Sequence, residues 1–526
     1  MSELKLRTES IKDEEIEKIA VLRESDKKII EHLVSSEPCL LEGSRGTGKS
    51  FLMKIAQLEL EQKRDTLPIF ISFNMSSLIN TDDSLQFYHW MLAKTIRALL
   101  NKLIKDGAVI SDYSNSLLSN YSESNSKNIK DKLKDIIRSF EMSYKDTNKC
   151  PIELNNLPDI EDVKEAITEI CRQNKLTRVV FFFDEAAHVF RPEQQRQFFN
   201  LFKDLRSSYI TCNAAIYPGV THFGNSFELT HDCSYQVLDR SVTEEGYLDY
   251  FYEMFSKQSD NSILNVINNN KDIFNTLVYS CSGNPRILFK TYQSLTKLNT
   301  NEVNKEVKDF YRNKIWSEHT ELGEKYKGHK ELIDWGRDFL EQKVIPTVNE
   351  NKKSTIYFWI DKDVPETVKE SLRLLTYTGI IKKIDSTNRA HGKIGTRYEI
   401  KYGCIIALAP NPHQSSKEIF NKISIRQFTK FGAGYKEYDK IKDIIAIIEN
   451  DKHYKKSLES ILAKPITVLT LTEWQIKKLM ENNITTIRDL HTVNKDDLLK
   501  IHQIGEKRSE TMIKAMQAEL LEYISG

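Results

Sequence analysis

One stretch constrains the fold of this 526-residue chain more than any other: the octapeptide Gly43-Ser44-Arg45-Gly46-Thr47-Gly48-Lys49-Ser50. It matches G-x-x-x-x-G-K-S/T in full, and it lies between a short apolar run, CLLEG, and a stretch with apolar residues at helical spacing. In such loops glycines let backbone N–H groups turn toward phosphate oxygens, the lysine reaches the β- and γ-phosphates, and the last hydroxyl ligates magnesium. The sequence therefore predicts a strand, a nucleotide-binding loop formed by all eight residues, and a helix, with Ser50 also contacting Mg²⁺.

A second stretch, TRVVFFFDEAAHVF, contains five consecutive apolar residues that end in two carboxylates. Such a run is typical of a strand buried on both faces of a parallel sheet. At its end Asp184 is predicted to hold the magnesium through water, and Glu185 to orient or deprotonate an attacking water. His188 is interpreted as a structural histidine at a helix start, because no other helicase signature accompanies it.

Phosphoryl transfer also requires cations opposite the developing negative charge. Arg286, in SGNPR at the start of a helix, is predicted to contact the γ-phosphate. Arg206 and Arg240 are alternative candidates for an arginine finger that reaches a neighbouring protomer. Tyr217 or Thr221, after the strand that ends in AAIY, could supply a polar contact that senses hydrolysis.

The length suggests several domains, each with its own core. We predict a nucleotide-binding core over residues 1–242, a helical lid over 243–329, and a winged helix over 330–412, where helices precede a β-ribbon. A lysine-rich helical connector over 413–464 and a domain of short helices over 465–526 follow. The Ser/Asn-rich segment from Ser111 to Lys127 predicts a mobile surface insertion.

Composition excludes several classes of protein. No apolar run approaches the ~20 residues that span a bilayer, and the N-terminus is not a secretory signal, so we expect a cytoplasmic protein without a membrane segment. Seven cysteines occur singly, without a C-x-x-C pair, which argues against a zinc or disulfide framework. Lys and Arg number 76 against 75 Asp and Glu, so only local patches can indicate nucleic-acid binding.

The two nucleotide motifs, AAIYPGVTHFG and GNPR together resemble the AAA+ ATPases of the origin-recognition-complex and STAND branch, over roughly residues 10–410. The segment VLRESDKKIIEHL resembles the one that these families place beside the adenine, which implies a base contact for Arg23. The resemblance implies ATP and Mg²⁺ as cofactors, slow ATP hydrolysis, homo-oligomers, a helical lid and a winged helix. The sensor Asn or Thr that these families carry at the end of the fourth strand has no clear counterpart.

The tail, ITTIRDLHTVNKDDLLKIHQIGEKRSETMI, is similar to the helix-hairpin-helix in the C-terminal domain of RNA polymerase alpha. The resemblance implies phosphate contacts for Gly505, Lys507 and Arg508, with Gln503 where the commonest hairpin has its first glycine. These folds also serve as protein docking modules. The predicted β-ribbon carries a second set of cations that could lie on phosphates: Arg389, His391, Lys393 and Arg397.

The expected fold class is an α/β P-loop NTPase core with a parallel sheet, an α-helical lid, a winged-helix domain and a small all-α C-terminal helix-hairpin-helix domain. The first functional hypothesis is an ATP-dependent switch that binds duplex DNA, in mobile-element replication or anti-phage defence. The second is a STAND-like signalling or scaffold ATPase that oligomerises with ATP and recruits a separately encoded effector. A translocating motor is a weaker third hypothesis, because nothing marks a strand-gripping loop.

Overall fold

A computed structural model describes residues 8–73, 84–119, 126–141, 157–185, 192–224, 226–325, 327–350, 355–390, 392–444, 447–448 and 458–525. The chain divides into two compact units. The first comprises residues 1–271 and 283–293, and the second comprises residues 272–282 and 294–526. His188 lies outside the described residues.

The first unit contains a five-stranded, all-parallel sheet. Its strands are β1 (Cys39–Glu42), β2 (Thr66–Ser72), β3 (Arg178–Asp184), β4 (Ile210–Ile216) and β5 (Ser234–Val237), in the order β2-β3-β4-β1-β5. Because all strands run the same way, the carboxyl ends of β1, β3 and β4 lie at one edge of the sheet. The predicted α/β core with a parallel sheet is confirmed.

The helices up to residue 293 are α1 (Asp13–Ile19), α2 (Glu24–Val34), α3 (Lys49–Lys63), α4 (Ser84–Asp106), α5 (Asp112–Leu118), α6 (Ser126–Glu141), α7 (Ile160–Gln173), α8 (Pro192–Asp204), α9 (Leu229–Asp232), α10 (Tyr247–Ser256), α11 (Asn261–Asn269), α12 (Lys271–Ser280) and α13 (Pro285–Gln293). Of these, α2, α3, α4, α7 and α9 contact strands of the sheet, and α12 belongs to the second unit except for its first residue. Phe181 and Phe183 of β3 enter one apolar core, whereas Val180 and Phe182 enter the core on the opposite face. This two-sided burial explains the unbroken apolar run in the sequence.

The segment predicted as a mobile insertion contains an ordered helix. The side chain of Ser111 caps α5 by accepting a hydrogen bond from the Ser114 N–H at 3.1 Å. Leu117 and Leu118 are fully buried, and α5 packs against α7. The prediction was wrong for residues 112–118, because a serine cap and two buried leucines outweigh the polar composition. Residues 120–125 lie outside the described part of the chain.

The second unit is built around a four-stranded sheet. Its strands are β6 (Tyr357–Asp361), β7 (Ile381–Ala390), β8 (Lys393–Ile400) and β9 (Thr429–Phe431), in the order β7-β8-β6-β9. The hairpin β7–β8 is antiparallel, β8 pairs antiparallel with β6, and β9 pairs parallel with β6. β9 lies in the segment predicted as a helical connector, residues 413–464, and at these three residues the structure has a strand instead. These three residues form a strand because they pair with β6. A strand this short has no periodic pattern in the sequence that could reveal it.

The helices of this unit after α12 are α14 (Thr300–Asp309), α15 (Ile315–Lys325), α16 (Lys330–Phe339), α17 (Ile345–Glu350), α18 (Glu366–Tyr377), α19 (Tyr402–Ile406), α20 (Pro412–Phe420), α21 (Glu473–Glu481), α22 (Ile487–Thr492), α23 (Lys495–Lys500) and α24 (Glu506–Ser525). α16 packs against α18, and α24 packs against α18, α22 and α23. The C-terminal segment is thus all-helical, as expected. Within the described residues, no helix has the length and hydropathy needed to cross a bilayer.

Candidate functional site

The loop between β1 and α3 has a backbone that requires glycine at two positions. Gly46 and Gly48 have φ angles of +87° and +106°, in the region that other residues rarely adopt. A Cβ at Gly46 would also lie 2.7 Å from Oδ1 of Asn284. Thr47 donates its hydroxyl to the carbonyl of Ser44 at 2.9 Å, which closes the turn. The loop then runs into the N-terminus of α3, a place where a helix favours anions.

Lys49 is the first residue of α3, and its side chain turns back across the loop. Its Nζ donates to the carbonyl oxygens of Gly43 at 2.6 Å and Ser44 at 3.2 Å. Its ammonium also lies 4.0 Å from the ring centroid of Tyr217, at the end of β4. The pKa of Lys49 is lowered to about 7: burial lowers it most, the attraction of Asp184 raises it in part, and the charge of Arg286 lowers it. The loop lysine is therefore poised to change charge near neutral pH.

The first turn of α3 and the end of β3 bring a hydroxyl and a carboxylate together beside the loop. Ser50 donates its hydroxyl to Oδ2 of Asp184 at 2.6 Å. Asp184 is 6 % exposed, and burial raises the pKa of its carboxyl while the hydrogen bond from Ser50 and the charge of Lys49 lower it. Sequence reasoning placed these two groups in one site although 134 residues separate them.

Glu185 has an unusual backbone conformation. Its φ is +59°, although it is not glycine, and its N–H donates to Oδ1 of Asp184 at 3.0 Å. Burial raises the pKa of its carboxyl, and the neighbouring charge of Asp184 raises it further. A non-glycine residue at positive φ costs of order 1–3 kcal/mol, and such strain clusters at functional sites.

A cavity opens over the loop. The candidates Tyr217 and Arg240 line it, as do eight of the residues predicted to form the nucleotide site: Arg45, Gly46, Thr47, Gly48, Lys49, Ser50, Glu185 and Arg286. Gly43, Ser44 and Asp184 contact Lys49 and Ser50 from outside the cavity lining. Arg23 does not line the cavity either: its guanidinium lies 4.8 Å from the ring centroid of Tyr250, which does, and forms an ion pair with Glu244. The remaining lining residues are largely apolar and include Ile11, Ile19, Val21, Leu52, Tyr250, Met254 and Phe289.

Arg240, weighed as a finger for a neighbouring protomer, is buried within its own chain. It donates to the carbonyl of Thr47 at 2.8 Å and to Oδ1 of Asp26 at 2.7 Å, and both partners of this ion pair are at most 4 % exposed. Arg240 therefore supports the loop, and it also lines the cavity. Arg206 remains half exposed, 3.9 Å from Asp232, and stays a candidate finger.

Two further residues fix the surroundings of the loop. Asn284 is 4 % exposed and donates its amide to the carbonyl of Arg45 at 2.7 Å, while its Oδ1 accepts from the N–H of Ile287 and caps α13. Thr221 donates to the carbonyl of Tyr217 at 2.8 Å, which is a structural contact. Of the two candidates at the end of β4, Tyr217 is the one that reaches the site.

The predicted cations of the β-ribbon belong to the second unit. Lys393 is exposed and lies 3.5 Å from the buried carboxylate of Asp361. Arg397 is held inside the unit: it donates to Oδ2 of Asp385 at 2.6 Å and to the carbonyl of Ile425 at 2.7 Å. These contacts hold the guanidinium of Arg397 within its own unit. Arg389 lies opposite Ile394 in the hairpin register, and its side chain, like all of His391, is outside the described residues.

The residues predicted to form the C-terminal hairpin lie at the turn between α23 and α24, residues 501–505, and at the start of α24. Gln503 has a φ of +71°, the conformation that glycine usually provides at such a turn, and Gly505 and Lys507 are exposed. Arg508 donates to the carbonyl of Gln503 at 2.6 Å, and its guanidinium lies 4.6 Å from the ring centroid of the partly exposed Trp474. The predicted residues thus lie at one hairpin, together with a tryptophan that sequence reasoning missed.

Sequence reasoning also missed part of the cavity wall. Thr8, Glu9 and Ile11 line it, and neither their composition nor their spacing marks them. Glu9 lies close enough to Asp184 and Glu185 for its charge to raise the pKa of both carboxyls. Asn284 could have been found, because it belongs to the GNPR segment that supplied Arg286.

No protein-family model matches the sequence, and no curated protein matches it. Nineteen chains of solved structures do match. The Aeropyrum pernix Orc1 protein in complex with DNA is 11 % identical, with 76 % of this chain and 95 % of that chain covered and a TM-score of 0.33. Cdc6p from Pyrobaculum aerophilum is 11 % identical, with 78 % and 98 % covered and a TM-score of 0.30. Rif2, in complex with the C-terminal domain of Rap1, is 12 % identical, with 55 % and 83 % covered and a TM-score of 0.26.

Proposed function

We propose that this chain is an ATP-binding and slowly ATP-hydrolysing switch of the AAA+ type that binds duplex DNA. One observation supports the nucleotide site above all others: Lys49, Ser50 and Asp184 meet at one glycine-rich loop, with Ser50 and Asp184 hydrogen-bonded at 2.6 Å. A loop of this composition at a helix N-terminus binds phosphates. The apolar wall of the same cavity suits a nucleobase.

The oxygen ligands suit magnesium. Ser50 and Asp184 supply a hydroxyl and a carboxylate, and Mg²⁺ sites of nucleotide enzymes use one or two such ligands together with phosphate oxygens and waters. When bound, the ion neutralises charge on the β- and γ-phosphates. A protein-only cage is not needed, which agrees with the finding that no group of three or more His, Cys, Asp or Glu side chains forms a metal site in the described residues.

The remaining side chains receive roles from their chemistry. Lys49 and Arg286 line the cavity and place positive charge beside the phosphates. Glu185 orients or deprotonates the attacking water, and burial raises its pKa toward the working range of a base. Arg240 and Asn284 act through the loop, because each donates a hydrogen bond to one of its carbonyls.

Duplex DNA binding is supported by the second unit. The antiparallel hairpin β7–β8 beside α18 suits a winged helix, and Gly505, Lys507 and Arg508 suit a helix-hairpin-helix. The stacked pair of Arg508 and Trp474 adds a rigid cation and an exposed aromatic surface to that hairpin. Such groups contact sugar and phosphate without reading sequence.

The test is binding to a random-sequence duplex across a salt series, with and without ATP and Mg²⁺. Lys49→Ala should abolish the effect of ATP, and Glu185→Gln should prolong it, because that variant binds ATP but activates water poorly. Binding that is enhanced by ATP and falls steeply with salt supports the proposal. If no variant binds duplex DNA while ATP still changes the oligomeric state, the signalling-scaffold hypothesis replaces it.

A further inference from the structure

The segment that forms the edge of the sheet in the second unit carries cations that the motifs did not indicate. Residues 419–436, which lead into and out of β9, contain four Lys or Arg residues and no Asp or Glu. Three of these cations precede or lie within the strand at the sheet's edge: Lys422, Arg426 and Lys430, here called the basic edge. The whole chain has a net charge near zero, so a run that has cations but no carboxylates differs from the average composition of the chain.

No carboxylate among the described residues neutralises the charges of the basic edge. All three side chains are exposed, and none forms an ion pair with another described residue. The lysines that follow differ: Lys440 pairs with Glu437, and Lys442 lies 2.9 Å from Asp439. Exposed ion pairs add little to the stability of a protein, so the presence or absence of a pair alone does not indicate a function. The relevant consequence is electrostatic: the positive potential of the basic edge remains available to an external anion.

The loop that bears these cations is held in place. The carbonyl of Ile425 accepts a hydrogen bond from Arg397 at 2.7 Å, and the carbonyl of Gln427 accepts one from Thr355 at 2.6 Å. β9 then joins β6, with Lys430 opposite Trp359. Because the backbone is already ordered, binding does not have to order it, and the cost of association falls.

The same segment exposes apolar side chains between the cations. Ile425 is 49 % exposed. The ring of Phe428 is partly exposed, with Nζ of Lys430 5.5 Å and the guanidinium of Arg397 5.8 Å from its centroid. Cations interleaved with an aromatic ring suit a polyanion with sugar and base surface better than a small anion.

We propose that the basic edge is a second DNA contact, which binds the sugar-phosphate backbone of a duplex. This inference rests on the proposed function and changes which residues contact DNA. Arg397 acts as a positioning residue that holds the loop, and the phosphate contacts come from Lys422, Arg426 and Lys430. The surface reads no sequence, because phosphate contacts carry none. Its contribution to the affinity for DNA adds to that of the hairpin at Gly505.

The test compares two triple variants of the full chain in duplex binding across a salt series. The first is Lys422→Gln, Arg426→Gln, Lys430→Gln. The matched control is Lys417→Gln, Lys440→Gln, Lys442→Gln, which removes the same charge from lysines that already pair with carboxylates. Each lost phosphate contact reduces the slope of log affinity against log salt by about 0.9. We expect the first variant to lose about 2 to 3 units of slope and the control to lose less than one.

The outcomes separate the two proposals. If wild type binds duplex DNA and the first variant keeps the salt slope and the affinity of wild type, the proposal that the basic edge contacts DNA is wrong and the proposed function stands. If wild type binds no duplex, both are wrong. Arg426→Gln alone should lower the slope by about 0.9, and it serves where the triple variant unfolds. Loss of binding to an acidic polypeptide without loss of DNA binding would assign the surface to a protein partner and overturn the DNA contact.

Discussion

At the scale of single residues, Lys49 carries the clearest dependence on pH. Burial lowers its pKa to about 7, so the side chain is mostly neutral at pH 8 in the free protein. Bound phosphates favour the charged form and raise that pKa, so binding of Mg-ATP takes up a proton above pH 7 and none below pH 6. The affinity should therefore fall by about tenfold between pH 6 and pH 8.

Calorimetry in buffers of different ionisation enthalpy measures this uptake. We expect nearly one proton at pH 8 for wild type and none for Lys49→Met, which also binds more weakly at pH 6. Tight binding at pH 8 without proton uptake would show that Lys49 remains charged in the free protein.

Tyr217 is expected to act through its ring. The ammonium of Lys49 lies 4.0 Å from the ring centroid, in a buried setting where such contacts contribute about 2 kcal/mol. Tyr217→Phe keeps the ring, so ATP affinity and hydrolysis should stay within about twofold. Tyr217→Leu should weaken ATP binding by about tenfold and shift the midpoint of its pH profile downward, because the charged form of Lys49 loses its partner. Loss of hydrolysis in the Phe variant would instead assign the sensing role to the hydroxyl.

At the scale of elements, the start of α13 and the nucleotide loop share Asn284. Its amide donates to Arg45 and its oxygen caps the helix. Asn284→Ser keeps an acceptor that caps the helix but does not reach Arg45, and Asn284→Ala loses both contacts. Both variants should weaken ATP binding about fivefold, the value of one hydrogen bond. Only the alanine variant should lose a further ~1 kcal/mol of unfolding free energy, measured by denaturant titration. Equal unfolding free energies would show that the cap contributes nothing.

Elements with strong local patterns could be predicted from the sequence, and elements made by distant pairing could not. The run from Val179 to Phe183 identified a strand because both of its faces are buried. β9 has three residues and depends on β6, some 70 residues earlier in the chain. The sequence suggested Arg240 as a finger for a neighbouring protomer for the same reason. Its partners Asp26 and Thr47 are 214 and 193 positions away, and no local spacing reveals them.

At the scale of the whole molecule, the candidate sites are divided between the two units. All residues that line the nucleotide cavity belong to the first unit, whereas the basic edge and the C-terminal hairpin belong to the second. The chain leaves the first unit after residue 271, returns at residue 283 and leaves again after residue 293. The returning segment contains Asn284 and Arg286, so the chain segment that lines the cavity through Arg286 is covalently continuous with the second unit on both sides.

A switch of this kind must obey linkage, and that provides the final prediction. If ATP raises the affinity for duplex DNA by some factor, saturating DNA must raise the affinity for ATP by the same factor. Glu185→Gln allows both to be measured at equilibrium, because ATP persists in that variant. We expect a factor of about ten, or about 1.4 kcal/mol of coupling.

Two variants sharpen the measurement of this factor. When glutamines replace the cations of the basic edge, ATP should bind in the absence of DNA as it does in wild type. Added duplex should raise the affinity for ATP less than in wild type, because DNA then contacts fewer sites on the protein. With Lys49→Ala, DNA should bind with its ATP-free affinity whether or not ATP is added. A factor of one, in a protein that binds both ligands, would mean that nucleotide and DNA sites act independently; ATP would then control assembly alone, and DNA would be a passive anchor.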